Sequence, residues 1–257
     1  MATRYSPRIV KSGLVLCLDA GVARSYPGSG DTWADLSGLK HDGFIANATA
    51  AAEGGAGGTK SIAFDGSDDG VRRDAAEKGS YDYDDSGKQF TVCVWLKPST
   101  FASPAGQSYL AVFNRTDLSN HLHSCFLSST SGTGSYGAAG SMASWIYDSG
   151  GNHRSHTSSS VCQTILDNWN FCVWRWADGT GFTYDVFNSA GQLNNTDSTY
   201  SGSTMRTDTT SEYRIGTWSD TAYEFTGRIS VVHQYSRRLT NTEVSQNYNA
   251  HKGRFGL

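Results

Sequence analysis

The chain has 257 residues, with 21 lysines and arginines against 24 aspartates and glutamates and a formal net charge of -3. That balance lacks the basic surplus by which proteins hold nucleic acid, and no stretch approaches the roughly 18 consecutive apolar residues of a membrane helix. Neither nucleic acid nor membrane is expected as a partner, and a chain of this length buries enough surface to hold a core without disulfides or metal.

The opening segment, MATRYSPRIVKSG, has no apolar run of signal-peptide length, so the protein is expected to remain where it is made. Residues 1–12 read as an arm. The first strand signal is GLVLCLDA (13–20), a short apolar run closed by Asp. SIAFDG (61–66) and FTVCVWLKP (90–98) follow, the second rich in β-branched and aromatic residues and stopped by a proline. YLAVFNR (109–115) and HLHSCFLS (121–128) flank a turn-type insert, and SWIYD (144–148) comes next. In WNFCVWRWADGTGFTYDVFN (169–188), Asp-Gly followed by Gly supplies the positive-φ positions of a tight hairpin. Its second strand alternates Phe182, Tyr184 and Val186 against Thr183, Asp185 and Phe187, so one face packs and the other is mixed. EYRIGTW (212–218) and GRISVVHQYS (227–236) complete about a dozen strands, the signature of a sandwich or barrel.

One helix is predicted, and it is the last element. Thr240 and Glu243 form a Thr-x-x-Glu capping box, Val244 and Tyr248 share a side, and Gly253 is placed to end it. The glycine- and serine-rich stretches 53–59, 128–141 and 149–160 read as long loops inside one domain spanning 13–250, with 251–257 as a tail. Five cysteines are an odd number without paired spacing; Cys17, Cys93 and Cys172 lie in apolar runs and read as buried free thiols. Arg72-Arg73 and Arg237-Arg238 read as solvated charges. The sequons at Asn47, Asn114 and Asn194 read as loop residues.

The pieces GLVLCLDA, TWADLSG, SIAFDGSDDGV, FTVCVWLKP, the 169–188 hairpin and EFTGRISVVHQYSRRLTNTEVSQNYNA together resemble, in order, the laminin-G-like branch of the concanavalin A-like lectin/glucanase superfamily. The resemblance covers residues 13 to 250. It implies an all-β jelly-roll sandwich of two antiparallel sheets, one concave, with a short C-terminal helix. The opening and closing segments resemble laminin-G-like domains in virion proteins of tailed bacteriophages. That implies a structural, decoration or fibre role, with other virion proteins of capsid or tail as partners. Host-surface glycans join them as ligands, and self-association as a trimer or higher assembly is expected from the symmetry of such particles.

Within SIAFDGSDDGV, Asp65, Ser67, Asp69 and Gly70 match the opening positions of an EF-hand loop, but Ala76 stands where the bidentate Glu belongs, and the flanks are strands. Two readings stay open: a hairpin turn that uses Asp and Gly for backbone reasons, or a calcium site of the kind the resemblance implies, built on Asp65, Ser67, Asp68 and Asp69. The acid the family carries before its final helix is Ser230 here, one potential ligand fewer. His121, His123 and Cys125 project from one face of a strand as a zinc or copper set would, without an evident fourth ligand. No strand carries the alternating carboxylates of a glucanase, and no nucleophile elbow or phosphate loop occurs; a non-enzymatic protein is expected. Sugar rings stack on aromatic faces. Most of the seven tryptophans should fill the core, with Trp145 and Trp218 as the surface exceptions. Tyr147, Asp148 and Asn152 join them as the candidate glycan-binding residues, with a carbohydrate-binding module outside a virion and a hydrolase of the same fold as rival readings.

Overall fold

The computed structural model describes residues 8–51, 60–73, 81, 85–116, 121–131, 137–158, 161–207, 212–218 and 223–257. In chain order the strands are β1 (Leu14–Asp19), β2 (Thr32–Trp33), β3 (Gly43–Ala46), β4 (Thr49–Ala51), β5 (Ser61–Asp65) and β6 (Gly70–Arg73). Next come β7 (Gln89–Pro98), β8 (Tyr109–Thr116), β9 (His121–Ser128), β10 (Met142–Tyr147) and β11 (His153–Thr157). The last are β12 (Asn170–Ala177), β13 (Gly181–Asn188), β14 (Gly191–Asp197), β15 (Glu212–Ile215) and β16 (Thr226–Tyr235), before the helix α1 (Asn241–His251) and a 3-10 turn, Lys252–Arg254.

Two antiparallel sheets result. The first runs β14-β13-β12-β7-β16-β5-β4, with β1 paired to β16 beside β5; the second runs β11-β10-β9-β8-β15-β6-β3-β2. Period-two alternation sends Val92, Val94, Trp174, Tyr184 and Val186 of the first sheet against Val71, Leu110, Leu127, Met142 and Tyr213 of the second. This is the jelly-roll sandwich with a terminal helix that the resemblance implies.

The first sheet has a second core on its outer face. Trp95, Phe171, Phe187, Val231 and Tyr235 are buried there with Val244 and Phe255, and Tyr248 packs against them. Phe187 is therefore core, and the supposedly mixed face of β13 is buried throughout. Its one acid, Asp185, meets Arg175 at 2.6 Å, and the same guanidinium reaches the Leu239 carbonyl and Asn241 Oδ1, joining sheet to helix. The capping box is present in both directions. Gly253 does not end the helix: α1 passes at Lys252 into the 3-10 turn, and the positive-φ glycine is Gly256. Residues at both ends of the chain pack into this layer. The Val10 N–H donates to Asn247 Oδ1, and Arg254 grips both carboxylate oxygens of Asp19 at 2.7 Å.

Several local readings change. SIAFDGSDDGV is not a hairpin: β5 pairs with β16 and β4 in the first sheet, whereas β6 pairs with β15 and β3 in the second. Residues 66–69 thus carry the chain from one sheet to the other, because Phe64 and Val71 approach one core from opposite sides. The stretch 149–160 contains β11. Of the sequons, Asn114 lies buried in β8, whereas Asn194 is exposed in β14. Arg72 and Arg237 are half-buried rather than solvated, Arg237 forking onto Glu243. All five cysteines are buried and free. The reading set on 53–59 lies outside the described residues.

Candidate functional site

Because α1 and the chain ends cover the outer face of the first sheet, the outer face of the second offers the remaining side-chain surface, part of it packed into a third apolar cluster of Tyr109, Ala111, Phe126 and Ala143. Strand register arranges them. Residues directly opposite on antiparallel neighbours point to the same side. Phe44 opposes Arg72, Arg72 opposes Arg214, and Arg214 opposes Asn114. Asn114 opposes Ser124, Ser124 opposes Trp145, and Trp145 opposes Ser155. One lateral row therefore crosses six strand pairings, charged and polar at one end and aromatic at the other.

Trp145 is the hub of the aromatic end. In β10, Met142 and Ile146 enter the core, which turns Ala143, Trp145 and Tyr147 outward. Around the Trp145 ring stand Phe126 at 4.5 Å, His153 at 4.7 Å, Tyr109 at 5.4 Å, Tyr223 at 5.6 Å and Trp218 at 6.3 Å. Edge-to-face geometry dominates, which fixes the rings against one another. Trp145 and Trp218 are half-buried, and the Trp145 Nε1–H meets no acceptor among the described residues. The Nε1 atoms of the core residues Trp33 and Trp95 are likewise buried without an acceptor among the described residues. Trp33, Trp95, Trp174 and Trp176 are fully buried.

Of the residues chosen from sequence, Trp145, Trp218 and Tyr147 share this neighbourhood, Tyr147 through His153 at 5.4 Å. Asp148 and Asn152 hold the turn between β10 and β11. The Asp148 carboxylate accepts from the Asn152 and Gly150 backbone N–H groups and from the Asn152 side chain, and pairs with Arg154 at 2.8 Å. Those bonds, the Asn152 amide first, hold its carboxyl below the usual range. Tyr109, Phe126 and Tyr223 escape a sequence reading, because alternation marks them as a face without saying which face is outward.

Among the described residues, Asp65, Asp68 and Asp69 are the acids whose oxygens converge, all within 4.8 Å of one another. Asp69 Oδ2 accepts the Asp65 N–H, Asp65 Oδ1 accepts the Ser67 N–H, and Asn47 donates to Asp68. Burial pushes the carboxyls of Asp69 and of nearby Glu224 up, and the charges of Asp65 and Asp68 add to it. At that separation the carboxylates of Asp65, Asp68 and Asp69 repel one another. The all-oxygen donor set suits a hard divalent ion. Ser67 contributes a backbone N–H to this loop. Ser230 lies apart, donating to the Lys60 carbonyl. His123 and Cys125 face inward: His123 stacks on Phe90 at 4.0 Å and meets Gln234, while Cys125 joins the core. The side chain of His121 lies outside the described residues.

No protein-family model matches the chain, and no curated protein matches it in sequence. Solved structures do. The chain is similar to domain 4 of the GH43 extracellular arabinanase AbnA from Geobacillus stearothermophilus, solved with arabinotriose: TM-score 0.57, 16% identity, 93% of this chain and 98% of that one. The fold is an antiparallel two-sheet β-sandwich. It is also similar to Trypanosoma rangeli sialidase in complex with sialic acid (TM-score 0.56, 16% identity, 93% of this chain, 33% of that one). A third is the ligand-binding domain of botulinum neurotoxin serotype D with N-acetylneuraminic acid (TM-score 0.54, 11% identity, 95% and 52%). The chain thus spans about a third of the sialidase and half of the toxin domain. At these identities the likeness is one of fold.

Proposed function

We propose that this protein binds glycans non-enzymatically on the outer face of the second sheet, with the Trp145 ring cluster as the stacking platform. The observation that carries this reading is the half-buried Trp145, held by five neighbouring rings on the face the helix leaves uncovered. Rigid aromatic faces bind the C–H surfaces of sugars at low entropic cost, and half-buried Ser155, opposite Trp145, offers a hydroxyl beside them. Structural neighbours solved with arabinotriose and N-acetylneuraminic acid support the same reading.

At a finer level, the laminin-G-like motifs and their likeness to tailed-phage proteins support a virion decoration or fibre protein, self-associated and displayed to host-surface glycans. Calcium at Asp65, Asp68 and Asp69 would brace the crossover loop at the rim of this face.

A glycan array tests the core of the proposal. The wild-type chain should retain defined oligosaccharides, and Trp145→Ala and Trp218→Ala should weaken that retention at least tenfold while circular dichroism stays unchanged. Unaltered retention by both variants would remove the aromatic cluster from the site. Release of reducing ends from bound polysaccharide would instead favour a hydrolase.

A further inference from the structure

We propose that a second site lies on the outer face of the first sheet, where the two ends of the chain meet, and that it takes the phosphate group of a phosphomonoester. It stands apart from the Trp145 cluster and from the glycan-binding reading. A pocket of about 430 Å³ is lined there by His233 of β16, His251 of α1 and Asp19 of β1.

His233 marks the pocket as a site. The residue is 1% exposed, and neither of its ring nitrogens has a hydrogen-bond partner among the described residues. The other buried histidines differ: His41 Nδ1 meets the Val15 carbonyl at 2.9 Å, His123 meets Gln234, and His251 Nδ1 meets the Asn247 carbonyl at 3.3 Å. Trp33 and Trp95 also bury an unmet ring nitrogen, but neither lines this pocket. Burial first, then the charges of His251, Lys11 and Arg254, keep a proton off His233, with Asp19 opposing them. A neutral imidazole offers one N–H donor and one acceptor, and a buried polar group without either bond is costly.

The charge around it calls for an anion. Asp19 is already paired: Arg254 donates to both its oxygens at 2.7 Å, and His251 Nε2 stands 3.7 Å from it. Arg8, Lys11 and Arg24 line the same pocket, are exposed, and form no ion pair among the described residues. The Lys11 charge reaches inward far enough to act on His233 and on the Cys17 thiol. Three cations beside a paired acid match a group of more than one negative charge. A phosphate monoester carries roughly -1.5 to -2 near neutral pH, a carboxylate only one charge. Arginine grips phosphate by its fork and lysine as a point charge. A phosphate also brings both an acceptor and a hydroxyl for His233, whereas sulfate brings acceptors alone. Half-buried Ile9 and Leu36 give the pocket an apolar wall, suited to the organic body of the ester.

The test titrates the full chain with glucose 6-phosphate, inorganic phosphate and sulfate at constant ionic strength. Wild type should bind glucose 6-phosphate at least fivefold more tightly than sulfate, and the ring-nitrogen NMR signals of His233 should shift on binding. Inorganic phosphate should bind more weakly than the ester, because it leaves the apolar wall untouched; equal affinity would overturn the ester assignment. Lys11→Met and Arg24→Gln, both at exposed positions, should each weaken binding at least fivefold without moving the melting temperature. His233→Phe, which keeps a ring and removes both nitrogens, should erase the preference over sulfate. No binding of either phosphate by wild type, equal binding of sulfate, unmoved His233 signals, or undiminished affinity in both cation variants overturns the site.

Discussion

Phe255 lies flat on Trp95, the ring centroids 4.1 Å apart and the planes within 13°. Two residues before the last, one ring thus closes the outer core of the first sheet. Phe255→Ala leaves a cavity over Trp95 and should cost about 3 kcal/mol, lowering Tm by several degrees for a chain of this size. Leu39→Ala, at a residue 50% exposed, should change stability by less than about 0.5 kcal/mol. A thermal melt that ranks the two equally would show that the C-terminal segment does not hold the sheet.

Arg175 and Asp185 are each 1% exposed on their side chains. Asp185→Ala would strand a buried guanidinium, and the loss should be about 3–5 kcal/mol. Replacing both partners with apolar residues should recover much of it. Urea denaturation of the single and double variants gives the coupling directly, and an additive double variant would contradict the pairing.

Acid should unfold the protein through its buried histidines. Burial lowers the His233 imidazole to about 3, with the charges of His251, Lys11 and Arg254 adding to that effect and Asp19 opposing it. Burial, then Arg115, holds His123 well below its ordinary range. The unfolded chain takes up these protons near pH 6.5, the folded one only far lower, so stability falls as pH drops below about 6.5. The slope is about 1.4 kcal/mol per pH unit for each histidine. Denaturant midpoints at pH 7, 6, 5 and 4 measure it, and His123→Phe should flatten it. Constant stability down to pH 4.5 would refute the assignment.

If Asp65, Asp68 and Asp69 hold a cation, calcium at a hundredfold excess over its Kd should stabilise the fold by about 2.7 kcal/mol. Asp69→Asn should abolish that increment. A melting temperature indifferent to chelator means that the loop serves only to cross between sheets.

Local chemistry was enough to place much of this architecture. The Thr240–Glu243 box needs only residues three apart, and the turn at 177–181 needs only Asp and Gly, so both were legible in the chain. The long apolar strands announced themselves by alternation and β-branched content. Strand β14, GQLNNTD, did not. It is poor in strand formers and exposed, and it exists because its backbone pairs along the whole of β13.

What tertiary structure decided is everything that depends on which strand lies beside which. Alternation says that two faces exist but not which one meets a helix, so Phe187 reads as mixed surface until α1 is laid across it. The residues 66–69 have the composition of a hairpin turn, yet their flanking strands find partners in different sheets. The opposition of Arg72 to Arg214, 142 positions away in sequence, and the gathering of rings around Trp145 are likewise products of register. Side-chain period and capping act over a few residues, whereas register is set by the pairing of distant strands around a shared core.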